Sequence, residues 1–172
     1  THNLAPAIVA LGTTGDPRIE LHVVGDGVRR AEYQALASST GARVVFHGTV
    51  EHREVPWFIA AADLCLAPYD AAAFTSGELG YSTMKIPEYL SVGRPVVSVP
   101  SGRIRTLVAE GKTGYLFPNE AARWSEFLGA LPPRDRLREM GVAAAASKLT
   151  SWEDTALGYL SLCERELAAR NR

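Results

Sequence analysis

The chain has 172 residues, of which 47% are hydrophobic and 22% charged, and its formal net charge is -1. That length suits one domain with a sizeable core, and the balance argues against disorder. Near neutrality, with Lys and Arg dispersed rather than striped, leaves no electrostatic footprint for nucleic acid.

In chain order, residues 3–14 are apolar enough for a short helix despite Pro6, and Gly15-Asp16-Pro17 breaks it. A strand is predicted over 19–24. The turn Gly25-Asp26-Gly27 and an amphipathic helix over 28–39 follow, stopped by Gly41. Residues 43–46 read as the next strand. A helix over 54–62 carries Pro56 in its first turn, and Asp63 introduces a strand over 64–67. The run 68–81 is a long loop, and loops of that length inside compact domains are commonly functional. A helix ending near Gly93 leads through Pro95 into a buried strand over 96–99. A helix over 102–109, a Gly-Lys-Thr-Gly turn and a strand over 115–117 come next, then helices over 120–131, 134–148 and 152–169. Strands regularly separated by helices imply a doubly wound, Rossmann-like parallel sheet.

Within residues 82–97 the chemistry concentrates. A helix start leaves backbone N–H groups unpaired and partly positive, which suits a phosphate. Lys85 adds a full charge there, and Glu88, one turn on, is placed to accept from a hydroxyl pair such as a ribose. Pro87 cannot lie deep in a helix, so the start falls within a few residues upstream, near Thr83, Met84 and Lys85. Read from composition alone, Ser82 or Thr83 is merely an N-cap and Lys85–Glu88 a solvated pair of little energetic weight.

The segment STMKIPEYLSVGRPVV resembles the donor-binding signature of GT-B glycosyltransferases, especially the retaining group called family 4. LHVVGDG at 21–27, VVFHGTV at 44–50, AADLCLAPY at 61–69 and GKTGYLFP at 111–118 follow in that family's order, so the similarity covers roughly residues 19–131. The resemblance implies the C-terminal half of a GT-B fold with extra C-terminal helices, the whole of 1–172 being one nucleotide-sugar-binding domain. It also implies a UDP- or GDP-sugar donor, no further cofactor, and an acceptor site on a separate N-terminal GT-B domain, which this chain lacks. In that family the domain starts with another strand, so the sheet is expected to lack a central strand. Leaving-group charge would be stabilised by Lys85 as the catalytic cation and by helix-start amides around Ser82, Thr83 and Met84 rather than by a metal, since the sequence contains no Asp-x-Asp pair. Thr49 and Val50 would contact the base, with Gly25 lining the crevice and Tyr81 reaching donor or acceptor. The first of the family's two glutamates aligns with Gly80, and Glu78 is the nearest substitute.

Other features carry less. Cys65 and Cys163 lack metal or redox spacing and read as reduced and inert, as in a cytoplasmic protein. The start lacks a basic-then-apolar leader, and no stretch reaches the roughly 18 apolar residues of a membrane span, so membrane contact would be peripheral and through the other domain. His2, His22, His47 and His52 are scattered, and no metal site is expected. Arg103 and Arg105 flank a helix start and could meet an anionic acceptor. Trp124 with Phe127, and Trp152 with Tyr159, read as packing. Two other functions share this architecture: a sugar-nucleotide epimerase half, and a nonenzymatic nucleotide-binding or docking module.

Overall fold

A computed structural model describes residues 2–70, 78–79 and 83–170. Helix α1 (Ala5–Thr14) carries Pro6 in its first turn, where a missing N–H costs little, and ends at Gly15, whose left-handed φ of 58° lets its N–H reach Leu11 O. Strand β1 (Leu21–Val24) starts two residues later than expected. Ile19 N is held by Asp16 O in a turn, and pairing begins only where Leu21 N meets Arg43 O. Helix α2 (Arg30–Thr40) also starts late, because Arg30 N closes a turn on Gly27 O; Gly41 ends it.

Strand β2 (Val44–Gly48) runs parallel to β1, with Leu21 opposite Val44 and His22 opposite Val45. The helix expected over 54–62 divides into a 3-10 turn, His52–Glu54, and α3 (Val55–Ala61). A reciprocal capping box between Glu51 and Glu54 favours that turn. After β3 (Cys65–Ala67), the signature helix is α4 (Lys85–Ser91), with Met84 as N-cap and Pro87 in its first turn. β4 (Val96–Ser98) follows. α5 (Ile104–Leu107) is shorter than expected, since Val108 turns to extended backbone. β5 (Gly114–Leu116), α6 (Ala121–Gly129), α7 (Arg134–Ala145) and α8 (Trp152–Arg170) complete the order.

All described strand pairs are parallel, as strand–helix alternation requires. They form two sheets, β1-β2 and β3-β4-β5. Helix α1 packs across both: Ile8 joins Leu21, Val44 and Phe46 over β1-β2, while Ala7 and Ala10 join Val97 and Phe117 over the larger sheet. The two sheets differ in burial. Every residue of β4 is buried, whereas His22, Val45 and His47 of the smaller sheet are exposed. Full burial of Val96 or Val97 is worth roughly 1.5–3 kcal/mol each, so β4 anchors the core.

Trp124 packs as expected, 4.9 Å from the ring of Phe117, with Phe127 beside it. Trp152 and Tyr159 do not. Both are exposed, and α8 buries none of its residues against the described part of the chain.

Candidate functional site

The carboxyl ends of the strands gather most of the candidate residues. Gly25 follows β1 with φ 117°, and Gly48 ends β2 with φ 75°; Gly25 N donates to Gly48 O at 2.7 Å. That link holds the two turns together, so Gly25 lies next to Thr49, which is exposed, and Val50, which is half-buried. Asp26 serves its own turn: it accepts from Gly27 N at 2.7 Å and Arg30 Nη1 at 2.9 Å. These bonds hold its carboxyl below the usual range.

Past β3, Tyr69 is buried, and its hydroxyl is hydrogen-bonded to that of Thr83. Thr83 is therefore tied to the end of β3, one residue before the N-cap of α4. The His2 ring lies tilted against that of Tyr69, with centroids 4.5 Å apart. The His2 imidazole is pushed down from 6.5 to about 4, chiefly by burial and then by the charge of Lys85. Lys85, the first residue of α4, is thus near enough for its charge to act on His2, and its own side chain is exposed. Glu88 is one turn along α4 and half-buried. Among the described residues Lys85 and Glu88 form no ion pair with each other or with a third group. Met84 is exposed. Ser82, Tyr81 and Gly80 lie outside the described residues.

Glu78 is turned toward α5. It accepts from Arg105 Nη1 at 2.7 Å and Gly102 N at 3.2 Å, and the arginine holds its carboxyl low. Arg105 is thereby neutralised, and Arg103 reaches Thr150 Oγ1 at 3.4 Å. A Cβ on Gly102 would stand 2.6 Å from Leu79 O, so only glycine allows this approach of the loop to α5.

Sequence reasoning missed the residues that knit this end together. Asn3 N donates to Pro68 O at 2.9 Å, and Asn3 Oδ1 accepts from Arg29 Nη1 at 3.3 Å. Asn119 Nδ2 holds Asn3 O at 2.9 Å and is itself fixed by Trp124 Nε1 on its Oδ1 at 2.7 Å. Arg29 also lies over the Tyr33 ring at 4.7 Å and pairs with Glu32. Pairing of residues so far apart in sequence leaves no local pattern, although the Arg29-Arg30 dipeptide after a glycine turn is a visible cue. Chemically, this end offers, among the described residues, the Lys85 ammonium and the Glu88 carboxylate, neither in an ion pair, and glycine turns that admit close approach of a ligand.

Known proteins place these features in a family. The sequence model described as "Glycosyl transferases group 1" matches residues 2–147. A D-inositol 3-phosphate glycosyltransferase of Xylanimonas cellulosilytica is 31% identical over 136 residues, covering 76% of this chain and 31% of that protein. The chain thus spans about a third of the length of such relatives. Among solved structures, sucrose-phosphate synthase from Thermosynechococcus elongatus superposes with a TM-score of 0.76 at 22% identity, over 96% of this chain and 43% of that one. Anabaena HepE in complex with UDP-glucose superposes with a TM-score of 0.62 at 22% identity, over 81% of this chain and 38% of that one. The fold is that of a GT-B glycosyltransferase domain. The chain belongs to the group 1 glycosyl transferases, family 4.

Proposed function

We propose that this chain is the C-terminal, donor-binding half of a retaining, metal-independent glycosyltransferase, and that it binds a nucleoside diphosphate sugar. The observation that carries the reading is the family match over residues 2–147, which spans every element supplying a candidate residue. The diphosphate lies at the entry to α4, against Lys85 and the backbone of Ser82, Thr83 and Met84. The ribose hydroxyls donate to Glu88. The base lies over Gly25, Thr49 and Val50, and Tyr81 borders the sugar. As the glycosidic bond breaks, charge grows on the departing diphosphate, and the fixed ammonium of Lys85 stabilises it without reorganisation.

Acceptor and catalytic partner groups come from an N-terminal GT-B domain, so this half binds donor and transfers nothing. A strand pairing with both β1 and β3 would join the two sheets into one and would lead directly into α1. Among the described residues no helix is long and apolar enough to cross a membrane. A cytoplasmic enzyme whose other domain touches the membrane fits that. Glu78, held by Arg105 Nη1 and Gly102 N, is the nearest substitute for the family's first glutamate at the sugar.

Titration calorimetry with UDP, GDP and ADP, on the wild type and on Lys85→Ala and Glu88→Ala, tests the reading. One diphosphate binds, and each substitution weakens it; loss of a charge-assisted contact costs about 1.5–3 kcal/mol. Binding indifferent to both changes, or none by a folded sample, favours the docking-module reading instead.

A further inference from the structure

Arg30, the first residue of α2, reaches across the two glycine turns at the carboxyl ends of β1 and β2. Its Nη1 donates to Asp26 Oδ2 at 2.9 Å, in the turn after β1. At the end of β2 the same guanidinium lies against Gly48, where a Cβ would stand 3.2 Å from Nη1 and 3.9 Å from Cζ and Nη2. The bare backbone of Gly48 makes room for it. Because Gly25 N is bonded to Gly48 O at 2.7 Å, the two turns keep a fixed spacing and the guanidinium spans it. Among the described residues Nε and Nη2 of Arg30 have no hydrogen-bond partner, and the side chain is 35% exposed. Those two N–H groups are neighbouring donors of one rigid planar fork.

We propose, resting on the nucleotide-binding reading, that Arg30 sets the base preference of that site, favouring a base with a carbonyl where cytosine and adenine carry an amino group. A guanidinium has donors only. Uracil O4 and cytosine N4 occupy the same ring position, as do guanine O6 and adenine N6, and in each couple the first accepts while the second donates. The donors that Asp26 leaves over meet an oxo base in a charge-assisted bond, the stronger kind. An amino base turns N–H against N–H and leaves the fork unpaired, which is how a polar site rejects an analogue lacking its acceptor. Lys85 and Glu88 cannot make this distinction, because diphosphate and ribose are common to all four ligands. Asp26 is a positioning residue, since it holds Nη1 and so orients the fork.

The test is calorimetric titration of the whole chain with UDP, CDP, GDP and ADP, both members of a couple being measured on one folded sample. Within the couple that binds, the oxo base is expected to bind at least about tenfold tighter than the amino base. Arg30→Met brings the two within about threefold of each other by weakening the oxo-base ligand alone. Arg30→Gln, whose amide both donates and accepts, does the same and serves if Arg30→Met does not fold. Comparison of UDP with GDP shows which carbonyl base is used. Lys85→Ala weakens both members of a couple alike and leaves their ratio unchanged. Diphosphates that bind through Lys85 without preferring the oxo base, or with a preference that survives both Arg30 variants, overturn the role of Arg30 and leave the nucleotide reading standing. Binding of none of the four removes the nucleotide reading, and the role of Arg30 with it.

Discussion

Gly141 of α7 lies so close to the turn ending α4 that a Cβ built on it would stand 2.5 Å from the carbonyl oxygen of Gly93. The obstacle is backbone, which cannot swing aside. Gly141→Ala is therefore expected to push α7 away from α4 and to destabilise the protein by about 1–3 kcal/mol, as overpacking does, despite the higher helix propensity of alanine. A urea denaturation midpoint at or above the wild-type value would show that α7 does not press on α4 in this way.

The Tyr69–Thr83 hydroxyl pair connects β3 to the entry of α4 inside the core. Thr83→Val removes this one hydrogen bond from the core and should cost about 0.5–1.5 kcal/mol. Tyr69→Phe should act similarly. The double variant should be more stable than the sum of the two losses predicts, since the shared hydrogen bond is lost only once. Strict additivity in denaturant unfolding would mean that the two groups do not interact.

His2 gives a spectroscopic measure of where Lys85 stands. Its imidazole titrates near 4 in the folded chain against 6.5 without the fold. Because the folded pKa is depressed, the unfolded chain takes up the proton first; this group's stabilisation is complete above 6.5 and is lost as pH falls toward about 4. Followed by NMR, Lys85→Gln should raise the His2 midpoint but leave it below 6.5, since burial is the larger cause. An unmoved midpoint would place the Lys85 charge away from His2.

The two cysteines should part company under a thiol reagent. Burial pushes the Cys65 thiol up to about 12, while Cys163 is exposed on α8. One equivalent of thiol should react with Ellman's reagent in the native protein and a second only in denaturant. Two fast equivalents would indicate that β3 is open to solvent.

Much of the fold was legible because it rests on local signals. Gly15 and Gly41 stop their helices where expected, and Pro87 fixes the start of α4. The boundaries that slipped, at β1, α2 and α5, depend on single hydrogen bonds such as Arg30 N to Gly27 O. Likewise, Lys85 and Glu88 were visible as a spaced pair, but nothing local told of Asn3 meeting Pro68 and Asn119, or of His22 meeting His47. Trp152 and Tyr159 misled because aromatic residues at helical spacing usually mark a core, and here α8 buries no residue against the described part of the chain.

Because α1 rests on both sheets through neighbouring residues, Ile8 on one side and Ala7 with Ala10 on the other, it is a splint across a seam. Amide exchange should therefore report two cooperative units of unequal protection. β4, fully enclosed, would exchange only through global unfolding, while the β1-β2 ribbon would release its protons in smaller openings that also unseat α1.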